Sequence, residues 1–424
     1  MASPLTVSAS SQVTRLAADP QLHRAFRWLH LQEPAVFSWQ QELVRIPAPP
    51  FGEGPRAEWL AERFRNLNLE QVSIDEAGNV IGCLPGAGDA SGCILLSAHI
   101  DTVFPAGTLI EPRVEGRKLH APGACDNGAG VAGMLALAAA LREAGLRPAC
   151  DLYFVGNTGE EGNGNLRGVR HLYQHAPWRD GIRAHIILDG AGDSAAITQG
   201  LGSLRLRASI AGPGGHAWSD AGSSNPIVVL SRAIARIGEI TLPSSPRMTL
   251  NVGSIQGGTA INAIPEYVEA SFDLRSTSPE QLARLEAELH RAIEDAVLEA
   301  NLEHAARMAG QRSALHLAGQ RLRFVMEKIG DRPAGRLPED AALMGQLLAV
   351  DRQLGLRTEQ RVASTDANLP LSLGIPAVTL GAGGQGGGIH TQMEWYDSTN
   401  RELALRRTLL LLLAAAESPQ SQTA

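Results

Sequence analysis

The chain has 424 residues, which at about 100–200 residues per domain is enough for two or three domains. Its hydrophobic fraction of 44% and charged fraction of 19% are close to those of globular proteins, which excludes wholesale disorder and a collagen-like chain. The 37 basic and 44 acidic residues give a net charge of −7, which argues against nucleic acid or an anionic membrane as the main partner.

Cysteine usage and apolar runs predict the compartment. The four cysteines form no Cys-x-x-Cys pair and are too few for a disulfide framework; they are Cys83, Cys93, Cys125 and Cys150. The first 20 residues lack the basic start and apolar core of a secretory signal. The longest apolar runs, 134–141 and 409–416, have eight residues each, whereas a membrane span needs about 20. We therefore expect a soluble, cytoplasmic protein.

Strands and helices alternate in the first half of the chain. The first 70 or so residues predict helices, since residues 57–69 place apolar side chains at helical spacing. Residues 72–86 predict a β-hairpin, and residues 93–103 are typical of a strand buried on both faces. A helix of small residues over 129–145 is followed by apolar strands within 151–162 and 185–192. This order predicts an α/β domain with a mostly parallel sheet flanked by helices.

The pattern changes near Ser203. Alternating strands at 204–212, 248–258, 266–276 and 321–330, with helices at 226–240 and 279–301, predict a smaller α+β layer with one solvated face. A buried helix at 338–356 and a core strand at 374–384 return to the first pattern. We therefore predict an α/β domain of residues 1–202 and 334–424, interrupted by an α+β insert of residues 203–333.

Ligands of open α/β sheets bind beyond the carboxyl ends of the strands. Acids and histidines follow four strands and one adjoining turn here: His99, Asp101, Asp126, Glu160, Glu161, Asp189 and His390. Taken singly, a histidine at a strand end is more often structural, and adjacent acids usually belong to a solvated loop. Several converging carboxylates would be destabilised unless a cation lay among them. Together they predict a metal site.

The residue types narrow the chemistry. Two histidines with several carboxylates and no cysteine suit Zn²⁺ or Mn²⁺. The carboxylates exceed what one tetrahedral ion needs, so two ions that share a bridging carboxylate are the better interpretation. One acid must stay unligated to move protons, and the Glu160-Glu161 pair could divide these roles. Asp101 could orient the imidazole of His99.

A series of motifs runs from about residue 95 to about residue 400: SAHIDTVFP, GACDNGAG, NTGEEGNGNLRG, ILDG, GPGGHAWSD, GGTAINAIPEYVEASFDLRS, STDANLPLSLGIPAVTLG and IHTQMEWYD. In these motifs the chain resembles the co-catalytic metallohydrolases that include peptidase T, carboxypeptidase G, acetylornithine deacetylase and succinyl-diaminopimelate desuccinylase. The resemblance covers nearly the whole chain. It implies that the α/β domain is catalytic and that the insert is a lid and dimerisation domain.

The resemblance also implies a role for each strand-end residue. It implies two divalent ions per subunit, zinc or manganese, with single occupancy as an alternative. Their ligands would be His99 and Asp189 for one ion, Glu161 and His390 for the other, and Asp126 as the bridge. Glu160 would be the general base that takes a proton from the bridging water and delivers it to the leaving nitrogen. Asp101 would position His99.

The resemblance extends to the insert. It implies that His216 crosses a dimer interface and stabilises the oxyanion in the neighbouring subunit's site. Asn262 and Arg275 would be polar contacts to the substrate, and an arginine suits a carboxylate. Each has a structural alternative: the segment around His216 alone indicates a turn, Asn262 could cap a turn before Pro265, and Arg275 could be a surface charge.

A glycine cluster precedes His390. Residues 381–388 contain six glycines. A mobile loop is one interpretation. The other, which we favour, is a backbone nest whose N–H groups, including those of Gly387 and Gly388, hold a substrate carboxylate.

One segment departs from the family pattern, because many members have Asp-Asp-Lys where this chain has Asp126-Asn127-Gly128. The favoured function is a metal-dependent hydrolase of a C–N bond in a small carboxylate-bearing substrate, a peptide or N-acyl amino acid, attacked by the bridging hydroxide. We expect a homodimer or higher homo-oligomer.

The departure at Asp126-Asn127-Gly128 keeps an alternative open, a hydrolytic deaminase that releases ammonia from an electron-poor aromatic amino acid such as 5-nitroanthranilate. A non-enzymatic member would have lost a ligand or the base, and all are present.

Overall fold

The computed structural model describes residues 4–88, 90–309 and 321–417. The chain divides into a large unit, Met1–Gly200 with Gly335–Ala424, and a small unit, Leu201–Ala334. The boundaries expected from the sequence lie within two residues of these divisions. Residues 1–3, 89 and 418–424 of the predicted α/β domain and residues 310–320 of the predicted insert lie outside the described residues.

The large unit begins with helices and continues into the sheet. Its first helices are α1 (Pro4–Ala17), α2 (Pro20–Leu31), α3 (Glu33–Val44) and α4 (Gly54–Asn66). The next elements are β1 (Glu70–Ile74), β2 (Val80–Leu84), β3 (Cys93–His99), β4 (Arg113–Glu115), β5 (Lys118–His120), α5 (Gly128–Ala144), β6 (Asp151–Asn157), α6 (Arg167–His175), β7 (Ile182–Leu188) and β8 (Ala195–Gly200).

The small unit and the return to the large unit complete the chain. The small unit contains β9 (Gly202–Ala211), β10 (Gly215–His216), α7 (Pro226–Gly238), β11 (Met248–Gly257), β12 (Ala263–Ile264), β13 (Tyr267–Ser276), α8 (Pro279–Ala309) and β14 (Arg323–Arg332). The large unit resumes with β15 (Gly335–Arg336), α9 (Ala342–Leu354), β16 (Glu359–Ala363), α10 (Asn368–Ser372), β17 (Ala377–Leu380), β18 (Gln385–Gly387), β19 (Trp395–Asp397) and α11 (Arg401–Glu417).

The large sheet confirms the α/β fold class and is mixed. Its order is β1-β2-β6-β3-β7-β17-β8-β15, with β16 paired to β8. The central strands β6, β3, β7 and β17 are parallel, whereas β1, β2, β8 and β15 join through antiparallel pairs. A tight hairpin can join only antiparallel neighbours such as β1 and β2, while helix α5 lies in the longer crossover that the parallel neighbours β3 and β6 need.

Strand β3 is buried along its length because both of its faces are covered. Ile94 and Leu96 belong to the main core, together with residues of α4, α5 and α11, whereas Leu95 faces a second cluster that contains Leu172 of α6. Alternate side chains of a strand point to opposite faces, so this strand is fixed from both sides. Its last residue is His99.

Several short elements have no clear signal in the sequence. Helix α6 has nine residues, of which only Gly168, Val169 and Leu172 are buried. Strands β8 and β16 are short, and β16 is largely exposed. Strands β18, β19, β5 and β4 form a separate four-stranded sheet that joins two distant parts of the chain. Short, polar elements of this kind acquire their structure from partners that are far away in sequence.

The small unit has the α+β architecture expected of the insert. Its antiparallel sheet has the order β11-β13-β9-β14, and α7 and α8 share a hydrophobic core with it. Strand β9 alternates buried and half-buried residues, as a sheet with one solvated face requires. Helix α8 continues to Ala309, beyond the predicted end at residue 301. Among the described residues, no helix has the length and apolar character needed to cross a membrane.

Candidate metal centre

His99 is the first corner of the centre, at the carboxyl end of β3. Its side chain is only 1% exposed. Nδ1 lies 3.1 Å from the backbone carbonyl of Asp101, to which its N–H donates, so Nε2 keeps a lone pair for a ligand. Nε2 lies 3.0 Å from Oδ1 of Asp126 and 3.8 Å from Oδ1 of Asp189. Asp189 directly follows β7, the parallel neighbour of β3.

His390 is the opposite corner. Its Nε2 lies 2.9 Å from Oε1 of Glu161 and 3.0 Å from Oδ2 of Asp126. The two carboxylate oxygens of Asp126 therefore face different histidines. The described residues contain three groups whose ligand atoms lie within 4.8 Å of one another: His99 with Asp126 and Asp189, Asp126 with Glu161 and His390, and His99 with Glu160 and Glu161.

The donor set suits divalent cations. It consists of imidazole nitrogens and carboxylate oxygens without cysteine, the combination that zinc and manganese accept. Burial, followed by the negative charge of Asp126, raises the pKa of Glu161. The protein alone therefore disfavours ionising this carboxyl group, and a cation among the oxygens would reverse the effect.

Asp101 connects two of the strand ends. Its Oδ1 accepts a hydrogen bond from the backbone N–H of Glu160 at 3.1 Å, and its Oδ2 accepts one from the N–H of Glu161 at 2.8 Å. Oδ1 also lies 3.6 Å from Nδ1 of His99. Burial would raise the pKa of Asp101, but the His99 ring and then these two backbone hydrogen bonds lower it, so the group stays ionised. One carboxylate thus fixes the loop that carries the Glu160-Glu161 pair.

Two further buried charges support the centre and were missed by the sequence analysis. Glu394 accepts hydrogen bonds from the backbone N–H groups of Gly123, Cys125 and Asp126, at 2.9, 2.8 and 2.8 Å. Arg56 donates to the carbonyls of Ile46 and Ile100. Burial lowers the pKa of Arg56 to about 10, while the charges of Asp101 and Glu394 act to raise it, so it remains a cation. The motif IHTQMEWYD contains Glu394, whereas Arg56 precedes all the motifs.

Asp366 is a third missed residue, within the motif STDANLPLSLGIPAVTLG. Its side chain is buried, and Oδ2 accepts a hydrogen bond from Nδ2 of Asn157 at 2.7 Å. Burial raises the pKa of Asp366, and the nearby charge of His99 counteracts this. The acid therefore lies within electrostatic range of the centre.

The Asp126-Asn127-Gly128 segment has a structural explanation. The Asn127 side chain is buried: Oδ1 accepts from the N–H groups of Gly130 and Gly190, and Nδ2 donates to the carbonyl of Leu188. It thereby caps α5. A Cβ added at Gly128 would lie 2.6 Å from the carbonyl oxygen of Gly123, so no side chain fits there. The departure from the family pattern is thus a packing feature, and it no longer favours a non-peptide substrate.

The glycines of 381–388 are tightly packed. A Cβ at Gly383 would lie 2.5 Å from the carbonyl oxygen of Arg401, and one at Gly388 would lie 2.7 Å from that of Met393. Gly387 belongs to β18 and pairs with Trp395. The close backbone approaches account for the glycines without a mobile loop. Substrate binding by Gly387 and Gly388 stays a prediction.

The candidate residues of the insert belong to the small unit. His216 and Asn262 are brought together, because β10 pairs with β12 and the N–H of Ala217 donates to the Asn262 carbonyl. Nδ1 of His216 accepts hydrogen bonds from the N–H groups of Trp218 and Ser219, at 3.2 and 3.4 Å. Arg275 lies within β13, where its Nε donates to Asp273 at 2.7 Å.

The family model described as Peptidase family M20/M25/M40 matches residues 95–417, about three quarters of the chain. The chain belongs to this family. As an M20 peptidase-family member it is a metal-binding hydrolase that acts on carbon–nitrogen bonds. The resemblance inferred from the motifs is confirmed.

Individual proteins resemble this chain over most of its length. Succinyl-diaminopimelate desuccinylase of Corynebacterium glutamicum is 27% identical over 364 residues, which cover 83% of this chain and 89% of that protein. Aminopeptidase PepT of Bacillus cereus superposes with a TM-score of 0.71 at 21% identity, over 91% of this chain and 99% of that one. The YXEP protein of Bacillus subtilis, described as a dinuclear metal-binding M20 peptidase, gives 0.65 at 16%, over 91% and 98%. The two structures show the same fold.

Proposed function

We propose that this M20 protein hydrolyses the C–N bond of a small carboxylate-bearing molecule, a peptide or an N-acyl amino acid. The observation that carries the proposal is Asp126, whose two oxygens face His99 and His390 separately. A carboxylate in this position is suited to bridge two ions. Asp189 stands beside the first histidine and Glu161 beside the second.

Two divalent ions, zinc or manganese, would be held by these five side chains. When bound, such ions supply Lewis-acid polarisation of the substrate carbonyl and activation of a water. The dinuclear relative supports the number two. The ligands need no large movement, since their donor atoms already converge.

Glu160 is the group we assign to proton transfer. It is 6% exposed, and its backbone N–H is held by Asp101. As a general base it accepts a proton from the attacking water, and as a general acid it returns that proton to the leaving nitrogen. Asp101 is a positioning residue, because it holds the backbone of this base and faces His99.

We assign the oxyanion contact to His216 of a neighbouring subunit. Because Nδ1 accepts two backbone N–H groups, the neutral ring carries its proton on Nε2 and can donate it. A donor aimed at the carbonyl oxygen stabilises the charge that develops there. Trp218 and Ile261, which are almost fully exposed near His216 and Asn262, support a contact with a second subunit.

Asn262, Arg275 and the backbone of Gly387 and Gly388 are the proposed contacts to the substrate carboxylate. Arg275 would share its guanidinium between Asp273 and the substrate, since only its Nε donates to that acid. The cytoplasmic location stays a prediction from the sequence.

A metal-by-substrate panel on the purified protein tests the function. The protein, stripped of metal and reloaded with Zn²⁺, Mn²⁺ or neither, is offered dipeptides, tripeptides and N-acyl amino acids. Free amine is measured together with ammonia. We expect amine release that depends on added metal. Failure to cleave any of these substrates with either metal would overturn the proposal.

Substituted aminobenzoates, including 5-nitroanthranilate, complete the panel. Ammonia release from them without cleavage of peptides would replace the proposed function with hydrolytic deamination. Asn127 and Gly128 no longer favour that outcome, because their packing explains them.

A further inference from the structure

A cavity of about 560 Å³ lies on the large unit next to the candidate metal centre. Three loops line it: residues 49–52 between α3 and α4, Val103 with Pro105 and Ala106 after β3, and Gly162 with Asn163. Val103 is two residues from Asp101, and Gly162 directly follows Glu161. Two of the loops that wall the cavity therefore also carry residues of the centre.

The lining is uncharged. Three prolines, a phenylalanine, a valine, an alanine and two glycines form it, and Asn163 provides the one polar side chain among the lining residues. A charged group that left water for such a surface would lose its hydration without gaining an ion pair. An aliphatic or aromatic group would gain free energy from the same transfer.

Phe51 is the exposed wall of the cavity. Its side chain is 69% exposed, and its backbone has φ of 69°, a conformation that bulky residues rarely adopt. Its ring lies 5.0 Å from the Arg167 guanidinium, whose Nη2 pairs with Glu53 at 2.6 Å. An apolar ring held at the surface in an unfavourable conformation indicates a functional constraint.

Arg167 also contacts the loop of the general base. A Cβ added at Gly159 would lie 2.6 Å from Cγ of Arg167, so the arginine stem packs directly on the residue before Glu160. One side chain thus contacts both the loop of Phe51 and the loop of Glu160. The cavity wall and the proposed base are fixed relative to each other through it.

We propose that this cavity binds an aliphatic or aromatic side chain of the substrate and that Phe51 sets the preference for it. The proposal rests on the proposed function, because it names the part of the substrate that lies beside the C–N bond being cleaved. It adds an apolar requirement to a substrate otherwise defined by its carboxylate.

Kinetics with Gly-Gly, Leu-Gly and Gly-Leu test the proposal on the metal-loaded full chain. In the wild type, leucine at one of the two positions should raise kcat/KM about tenfold over Gly-Gly, mainly through KM. Phe51→Ala should reduce that ratio toward one. Ala106→Trp, which fills the cavity from an exposed position, should reduce it as well. Leu31→Ala, an exposed leucine of α2, is the matched control and should keep the wild-type ratio.

The outcomes separate this proposal from the proposed function. If the wild type and both cavity variants cleave Gly-Gly and share the same ratio of kcat/KM for the leucine dipeptide over Gly-Gly, the proposed role of the cavity is overturned. The proposed function then stands. If the wild type cleaves none of these three dipeptides, calorimetry of free leucine and of free glycine tests the cavity instead. The proposed function is overturned only if the full metal-by-substrate panel also shows no cleavage. Tighter binding of leucine than of glycine, lost in Phe51→Ala, supports the role of the cavity. Equal binding of leucine and glycine by the wild type overturns that role.

Discussion

Asp101 illustrates how much of the candidate centre depends on single hydrogen-bonded atoms. Its two oxygens accept the backbone N–H groups of Glu160 and Glu161 and face the ring of His99. An asparagine in its place would direct an NH₂ group toward one of these donors. Geometry of this kind cannot be obtained from the spacing of Asp101 and His99, although the spacing did suggest a positioning role.

Asp101→Asn is therefore expected to weaken metal binding and lower kcat about 10–100-fold, as loss of a residue that orients a ligand does. Metal affinity by competition with a chelator, measured beside kcat, checks this. Asp180→Asn, at an exposed position, is the control and should resemble the wild type in both measurements. Wild-type affinity and kcat in Asp101→Asn would contradict the positioning role.

His185 has a structural role with a measurable pH signature. It is fully buried in β7, between the Ser97 hydroxyl at 2.8 Å and the Tyr173 hydroxyl at 3.1 Å. Burial lowers the pKa of His185 from 6.5 to about 3. Between these values the unfolded chain binds a proton that the folded chain does not. The stability contributed by the neutral ring is therefore complete above pH 6.5 and is lost as the pH falls toward 3.

We expect the wild type to lose about 2 kcal/mol of unfolding free energy from this group between pH 7 and pH 5. Denaturant unfolding at both pH values measures it. His185→Gln removes the titrating group, so its loss over the same interval should be smaller by that amount. His23→Gln, at an exposed position of α2, is the control. An equal loss in the wild type and His185→Gln would contradict the assignment.

At the scale of elements, Glu394 connects two turns that the sequence places about 270 residues apart. One is the turn of residues 123–126, and the other follows His390. Three backbone N–H groups converge on this one carboxylate, so ligands from both turns are positioned by it. Packed glycines in β18 and the neighbouring turns bring the second turn close enough.

Glu394→Ala leaves these N–H groups without their acceptor, at a cost of about 1–3 kcal/mol for each buried group. We expect a lower melting temperature and metal affinity reduced by at least tenfold, since the turn of Asp126 loosens. Calorimetry and metal titration measure the two effects. Glu58→Ala, on the exposed side of α4, serves as the comparison. Unchanged metal affinity in Glu394→Ala would show that the turn holds its shape without the carboxylate.

For the whole molecule, the proposal that His216 acts in the neighbouring site predicts that a complete site needs two subunits. If His216 acts in the neighbouring site, then neither a His216→Ala subunit nor a Glu160→Ala subunit is active by itself. Mixed dimers regain one complete site, with the base from one subunit and the oxyanion donor from the other. Random mixing should restore about a quarter of the wild-type activity.

Refolding the two inactive variants together, with dimers separated by distinct affinity tags, checks this expectation. The control mixes Glu160→Ala with Asp126→Ala: both lie in the large unit, so neither subunit of the mixed dimer has a complete site. Isolated mixed dimers of His216→Ala and Glu160→Ala without activity would refute a role in trans and leave the metal centre unaffected.

Much of this architecture was predictable from the sequence because it is encoded locally. The largely apolar strand β3 and the small-residue helix α5 carry signals within single segments, and so does the change of pattern near Ser203. The short elements β8, β16 and α6 were missed. Strands β8 and β16 take their hydrogen bonds from strands that are distant in sequence, and only three residues of α6 are buried.

The kind of centre is encoded in the sequence alone: which acids and histidines end the strands, and the family in which that order occurs. The fold sets how these residues are used. It turned the two oxygens of Asp126 toward different histidines, bonded Glu394 and Arg56 to backbone groups beside the ligands, and assigned Asn127 to a helix cap. These contacts join residues far apart along the chain, so they exist only once the fold has brought its segments together.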